Sequence, residues 1–591
     1  MANSHPADIQ IVHADVAVVG AGGAGLRAAI AAAEADPALK IALISKVYPM
    51  RSHTVAAEGG AAGVAKDNDS LDNHFNDTVA GADWLADQDC VDFFVKQAPR
   101  ELVQVEHWGC PWSREPDGSV AVRPFGGMKI ERTWFAADKT GFHLLHTLFQ
   151  TSLKYKSIER YDEVYTSNLI IQDGRCVGVL AHEMRSGKAI LFLAKAVILC
   201  TGGAGRVFPF TTNGAIKTGD GMAMAFRAGV ALQDMEFVQY HPTGLPGTGI
   251  LISEAARGEG GILTNKDGYR YLQDYGMGPP DPWPRKKAME LGPRDRLSQA
   301  FWQEQQKDRC ISSKWGDVVH LDLRHLGAKK INERLPFIRD LAKSYVGVDV
   351  TKEPIPVRPV VHYTMGGIAS DITAGTSLPG LYTAGESACV SINGANRLGS
   401  NSLAELLVFG NVAGTNAAAF AKSAEAVDEG NALAQAQAYR GTVEALLEGS
   451  NRTESVAGLR DEMHHAMETG CGIYRSEDTL QATCDTLASL RQRWKNVVVN
   501  DKSWVFNTDL TQALELGHML EIAECMATAG LARTESRGAH QRLDHTGRDD
   551  QTFLKHSMTW RQDDAAPRLD YKDVVITRSQ PAERIYGGDA K

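Results

Sequence analysis

An apolar run that breaks into closely spaced glycines, Asp15-Val-Ala-Val-Val-Gly20-Ala-Gly22-Gly23-Ala-Gly25, constrains this chain more than any other stretch. A short, continuous apolar run marks a strand buried on both faces. Glycines directly after it let the backbone turn tightly into a helix whose N-terminus accepts an anion. An alanine-rich helix is predicted from about Ala24 to Ala35, stopped by Asp36-Pro37, and Lys40-Ile-Ala-Leu-Ile-Ser45 reads as the next strand. This is a β-α-β unit with the G-x-G-x-x-G spacing of a dinucleotide turn. A plain helix-packing turn is the competing reading, and Ser45-Lys46 stands where NAD would call for a ribose-binding carboxylate.

Two more apolar runs end in the same way. Ala196-Val-Ile-Leu-Cys200 enters Thr201-Gly202-Gly203-Ala-Gly205, and Gly380-Leu-Tyr-Thr-Ala384 enters Gly385-Glu386, with a helix beginning near Leu403. Strands so far apart predict an α/β chain in which one Rossmann-like nucleotide-binding sheet is interrupted by an insertion. We place the first part of that domain at 1–245, an inserted α+β lobe at 246–356 and the second part at 357–431. The lobe contains the run Met277-Gly-Pro-Pro-Asp-Pro-Trp-Pro284. Long polar-apolar helices follow over 432–540, one of them from Thr508 to Ala529 with Gly530 as its stop. Residues 541–591 read as a C-terminal wrapping arm.

At 591 residues, against a prior of roughly 150 per domain, a single small core is excluded. Hydrophobic residues at 43% and charged ones at 23% describe an ordinary globular enzyme. Lys+Arg 62 against Asp+Glu 72 gives a net charge of −10, so no basic field draws nucleic acid or anionic lipid. The nine cysteines include no close pair, Cys471 and Cys484 being 13 residues apart, which argues against an iron–sulfur or zinc cluster and against a disulfide framework. The N-terminal segment lacks the pattern of a signal peptide, and no window approaches the ~18 consecutive apolar residues of a membrane span. Membrane association is therefore expected to come through another subunit.

The run Arg51-Ser-His53-Thr54-Val-Ala-Ala-Glu58-Gly59-Gly60 follows the second strand, which sets its histidine beside any cofactor on the first glycine turn. It resembles the covalent-flavin signature of the succinate dehydrogenase and fumarate reductase flavoproteins, in which the histidine carries FAD through the 8α-methyl group. The resemblance continues in order through His241-Pro-Thr-Gly, Arg257-Gly-Glu-Gly-Gly, Gly292-Pro-Arg294-Asp295, His362-Tyr-Thr-Met-Gly-Gly and Gly394-Ala-Asn-Arg397-Leu-Gly-Ser400-Asn-Ser-Leu403. Within the family it is strongest to the bacterial quinol:fumarate reductases.

By that resemblance Gly20, Gly22, Gly23 and Gly25 cradle the FAD pyrophosphate, Ser45 and Lys46 lie at its adenosine end, and His53 is the attachment point. Thr54, Glu58, Gly59, Gly60, Thr201, Gly202, Gly203, Asp220 and Glu386 are expected to bind the cofactor further. Ser402 and Leu403 open a helix whose positive end suits negative charge on reduced flavin; an ordinary N-cap at Ser400-Asn401-Ser402 is compatible with that role. His241, Ser253, His362 and Arg397 correspond to ligands of a small dicarboxylate, and Phe125 to an aromatic that packs on it. The catalytic set is Arg294, Arg257, Glu254 and His241, with Arg294 as acid and Glu254 re-protonating it through Arg257. Nothing in residue spacing suggests an arginine acid, because guanidinium normally keeps its proton.

The resemblance implies hydride transfer between FAD and the fumarate/succinate pair. Electrons would be exchanged with an iron–sulfur subunit and a quinone-bearing membrane anchor, with the chain peripheral on the cytoplasmic face of the inner membrane and no metal cluster of its own. Two other readings are a soluble aspartate oxidase-like flavoenzyme, which holds FAD non-covalently, and a non-catalytic flavin-bearing assembly subunit. The full His53 signature argues against the first, and the retained His241, Arg257, Arg294, His362 and Arg397 against the second. Glu58 stands where the quinol:fumarate reductases have glutamate and the succinate dehydrogenases glutamine.

Overall fold

The apolar run ahead of the first glycines forms the buried end of strand Gln10–Val19, which lies between two parallel neighbours. On one side stands Ile41–Ser45 and beyond it Ile158–Asp162; on the other stands Ala189–Leu199, which pairs in parallel with Leu381–Thr383. The three strands that end in glycine turns therefore meet in one sheet. An antiparallel pair, Val164–Gln172 and Arg175–Glu183, extends it from Ala189–Leu199. The computed structural model describes residues 9–277, 287–425, 427–449, 452–563 and 565–584; the first eight residues and most of the proline-rich run around Trp283 lie outside them.

Helix Gly23–Ala35 runs against helix Asn401–Ser423. The two are so close that a Cβ at Gly410 would lie 2.8 Å from the Ala24 carbonyl oxygen, and one at Gly414 only 2.1 Å from that of Ala28. Helix Asn401–Ser423 is long and apolar enough to cross a membrane, with a mean hydropathy of 1.2, yet 61% of that window is buried inside the molecule. Its apolar surface is spent on packing within the core.

Two long antiparallel strands, Val238–Gly244 and Ile355–Thr364, lead into and out of the insertion and continue its sheet through Gly316–Asp322 and Ile262–Thr264. A core including Leu263, Leu297, Leu321, Ile338 and Ile355 fills this lobe. Its helix Arg294–Gln306 packs on Val238–Gly244.

The C-terminal region holds helices Glu429–Glu448, Val456–Gly470, Glu477–Trp494 and Thr508–Ala532. The last runs through Gly530, which is therefore not its stop. A Cβ there would come within 3.3 Å of Leu480 and 3.4 Å of the Arg475 guanidinium, so the glycine serves close packing instead. The tail does more than wrap the surface. Lys555–Trp560 is built into a sheet between Leu232–Gln233 and Arg568–Asp573, and fully buried ion pairs join Arg533 to Glu236 (2.6 Å) and Arg537 to Glu535 (2.8 Å). His556 is clasped between Asp234 (2.7 Å) and Asp87 (3.0 Å).

Candidate active site

A cavity of about 1520 Å³, counting the space at its mouth, opens at the carboxyl ends of the parallel strands and reaches the inserted lobe. All the sequence-predicted site residues line it except Gly25, Gly203 and Arg257. Ligands of open α/β sheets sit at this end of the strands.

At the first turn Gly20 has φ +105°, and a Cβ there would lie 2.2 Å from the Cys200 carbonyl oxygen; a Cβ at Gly25 would lie 1.7 Å from that of Gly20. Helix Gly23–Ala35 starts with no side-chain cap, and Gly22, Gly23 and Ala24 line the cavity. The Gly23 N–H donates to Thr54 Oγ1 (3.0 Å), and the N–H groups that follow it in the first turn suit a pyrophosphate.

Beside it Lys46 Nζ donates to Asp220 Oδ2 (2.7 Å), Glu515 Oε1 (2.7 Å) and Thr218 Oγ1 (3.1 Å), while His518 Nδ1 lies 3.0 Å from Asp220 Oδ1. Burial opposes ionisation of Asp220, but Lys46 and His518 hold its carboxyl well below the usual range. Burial likewise opposes the Lys46 charge, and Asp220 with Glu515 raises its pKa nonetheless. Glu515 and His518 come from helix Thr508–Ala532, far along the chain, and no local sequence signal points to them.

The His53–Ala56 turn sits on helix Thr140–Ser152, where a Cβ at Gly141 would meet the Thr54 carbonyl oxygen at 2.1 Å. His53 Nδ1 accepts the Gly214 N–H (3.3 Å), which leaves Nε2 as the free ring nitrogen. Burial, reinforced by Lys217, lowers the His53 pKa to about 3, so the ring is neutral. Glu58 is pushed up to about 8 by burial and then by Asp138, and its Oε2 is buried with no hydrogen-bond partner among the described residues. Lys217, not anticipated from sequence, forms an ion pair with Glu386, whose Oε1 accepts the Thr364 N–H (3.1 Å).

The N-cap expectation at Ser400 is corrected. Ser400 occupies the cap position with φ +60°, but its hydroxyl turns away, donating to the Gly399 carbonyl (2.7 Å) beside Thr133 Oγ1 (2.6 Å). Helix Asn401–Ser423 thus also meets the cavity without a side-chain cap, at Ser402 and Leu403.

Between Val238–Gly244 and Ile355–Thr364 the register shifts, Gln239 pairing with Tyr363 and Tyr240 with Val361. His362 is the extra residue of a bulge, a device that re-aims a side chain. Its ring lies 5.2 Å from that of His241, centroid to centroid. The Thr243 N–H donates to His241 Nδ1 (3.3 Å), which assigns the ring proton to Nε2, an atom buried with no partner among the described residues. His362 Nδ1 is held by Thr212 Oγ1 at 2.8 Å. Burial, then Arg294, keeps both imidazoles far below their ordinary pKa, so both are neutral.

Arg294 donates to Glu254 Oε2 from Nε (2.9 Å) and lies 2.8 Å from it through Nη2; Arg257 Nη2 is 3.6 Å from the same oxygen. Glu254 therefore stands between the two arginines, which reverses the expected order in which Arg257 was the link. Burial opposes the Glu254 charge, but the flanking arginines keep its pKa below normal. Arg397 lies 4.2 Å over the Tyr363 ring and is pushed down to about 10, by burial and then by Arg294. Ser253 and Phe125 complete the wall. Gln239, missed in the sequence, accepts from Arg294 Nη1 (3.0 Å) and Arg397 Nη2 (3.2 Å). Strand alternation with His241 was the available signal.

A family profile described as FAD binding domain matches residues 15–403, and one described as fumarate reductase flavoprotein C-term matches residues 460–586. The chain belongs to the fumarate reductase and succinate dehydrogenase flavoproteins. The fumarate reductase flavoprotein subunit of Serratia sp. (strain ATCC 39006) is 61% identical to it over 98% of each chain. A solved mutant flavoprotein of Escherichia coli quinol fumarate reductase matches with a TM-score of 0.96 at 60% identity, covering 98% of this chain and 100% of that one. A quinol-fumarate reductase solved with menaquinol molecules matches at 0.95 and 60% identity, over 97% of this chain and 100% of that one. The chain is thus the flavoprotein subunit of a fumarate reductase/succinate dehydrogenase complex, an FAD-dependent oxidoreductase acting on a CH–CH bond.

Proposed function

We propose that this flavoprotein holds FAD covalently through His53 Nε2 and interconverts fumarate and succinate beside it. The observation that carries the reading is the row Arg257, Glu254, Arg294 ending at a cavity whose other half is a dinucleotide cradle. The residues fit FAD: a glycine turn that a Cβ at Gly20 or Gly25 would break against backbone, two helix N-termini without an N-cap side-chain bond, and a neutral His53 whose Nδ1 is held by the Gly214 N–H. Bound FAD supplies two-electron hydride chemistry.

The remaining steps belong to side chains. Neutral His241 and His362, with Arg397 and the Ser253 hydroxyl, bind the carboxylates, and Phe125 walls the substrate. Arg294 delivers a proton to the carbon opposite the one that takes hydride, and Glu254 returns a proton to it from Arg257. Succinate oxidation uses the same groups in reverse. The lobe at 246–356 is proposed to cap the site and exclude water, supported by its separate core. The other proposed boundaries are 1–245, 357–431, 432–540 and 541–591. An iron–sulfur subunit and a quinone-bearing anchor are the proposed electron route, with the chain peripheral on the cytoplasmic face of the inner membrane; the match to a quinol-fumarate reductase supports this.

The tests are direct. The purified flavoprotein is expected to reduce fumarate with a reduced dye and to keep flavin fluorescence in a denaturing gel, a signal lost in His53→Ser. Loss of all fluorescence from the wild-type band after acid precipitation overturns the covalent bond.

A further inference from the structure

Two buried guanidinium groups beside each other repel strongly where the dielectric is low. Here Arg294 and Arg397 converge on one atom, the side-chain oxygen of Gln239, at 3.0 and 3.2 Å. Gln239 is fully buried, and its amide nitrogen donates to the Arg397 carbonyl (2.8 Å) and to Asn396 Oδ1 (3.0 Å). Those two acceptors fix the amide orientation: a flipped amide would set its NH₂ against two cations and its oxygen against two oxygens. Asn396 in turn donates to the Gly81 carbonyl (3.2 Å).

We propose that Gln239 is a positioning residue that locks the proton-donating Arg294 and the carboxylate-binding Arg397 into one unit. This rests on the function proposed above. The amide dipole presents its negative end to both cations without adding a charge that would hold the Arg294 proton. Arg397 is gripped on a second side by the Tyr363 ring at 4.2 Å, and its Nε is buried without a partner among the described residues. Binding a carboxylate at Arg397 therefore bears on the same oxygen that orients the acid.

The test uses two variants in the assembled, flavin-loaded enzyme. Gln239→Met keeps the length and removes the acceptor; hydrogen bonds to charged groups predict roughly a ten- to hundredfold rise in KM for fumarate together with a comparable fall in kcat. Gln239→Glu keeps the acceptor but adds charge and turns its second oxygen onto the Arg397 carbonyl and Asn396 Oδ1, so KM rises as well, while kcat falls further than in Gln239→Met because the carboxylate also holds the Arg294 proton. A Gln239→Met enzyme with unchanged KM, whose kcat falls only in proportion to its flavin content, shows a structural role and overturns the proposal. Arg294→Gln and Arg397→Ala are assayed alongside. If these leave kcat and KM intact the underlying site assignment fails; if they act and Gln239→Met does not, only the coupling fails.

Discussion

Arg294 and Arg397 share an acceptor but are paired differently, and the difference predicts their mutants. Arg294 is bonded to Glu254 with Arg257 behind it, whereas Arg397 has an aromatic face and a bare Nε. Arg294→Gln should lower kcat by ~10²–10⁴-fold with little change in KM, while Arg397→Ala should raise KM by roughly tenfold or more. Steady-state fumarate reduction with a dye donor separates the two, and a turnover within about threefold of wild type in Arg294→Gln removes it as the acid. Glu58 predicts a pH effect. With its pKa raised to about 8 by burial and Asp138, it is a neutral acid at neutral pH and becomes a carboxylate as pH rises through that value. A carboxylate there disfavours negative charge on the reduced cofactor. The ratio of fumarate reduction to succinate oxidation should therefore rise across roughly pH 7–9 in wild type relative to Glu58→Gln, and equal ratios at every pH would deny Glu58 this role. His53, His241 and Arg294 could be placed at the cavity because each sits in a string that resembles a family motif, and all three line it. Gln239, Lys217, Glu515 and His518 could not, because a glutamine two places before a histidine, or a charge on a long helix, acquires meaning only through a partner distant in sequence.

The helix pair Gly23–Ala35 and Asn401–Ser423 brings two N-termini without an N-cap side-chain bond to one cavity, and its spacing is set by backbone rather than side chains. Gly414→Ala would place a Cβ 2.1 Å from the Ala28 carbonyl oxygen, so the helices must part. Overpacking of this kind costs about 1–3 kcal/mol, and both N-termini move with it. Lower thermal stability and lower flavin content are expected together. Gly441→Ala, on helix Glu429–Glu448 with nothing within 4 Å, is the control and should instead stabilise by about 0.5–1 kcal/mol. Equal unfolding temperatures and flavin contents for the two variants would refute the spacing argument. The parallel strands were readable as elements because burial on both faces leaves an unbroken apolar run. Gly530 and Ser400 misled because a glycine that admits a neighbouring helix looks like one that ends its own, and a serine at a helix start does not reveal its φ.

Across the whole molecule, buried charge ties together segments from both ends of the chain. His556 from the tail bonds Asp87 and Asp234, and although burial opposes its charge, Asp234 and Asp87 raise its pKa to about 9. A histidine pKa raised on folding contributes its full stability below the unfolded value of about 6.5 and loses it as pH rises through the folded value. Stability should therefore fall by roughly 2–4 kcal/mol between pH about 6.5 and well above 9, and His556→Gln should be less stable at neutral pH with a flatter profile. Chemical denaturation across that range measures it; parallel profiles for the two proteins would exclude the effect. This long-range weave was the part of the fold least legible in the sequence, where the tail showed only charge, glycine and proline. The ion group at Lys46 carries a consequence for timing. A chain emerging from the ribosome displays His53 and the first glycine turn long before it possesses Glu515 and His518, yet Lys46 and Asp220 take their final partners from that last long helix. Occupancy of the cofactor site and docking of the helix should strengthen each other reciprocally, so a chain cut before residue 508 is expected to hold its flavin weakly, and tight loading reports that this helix has been made and docked.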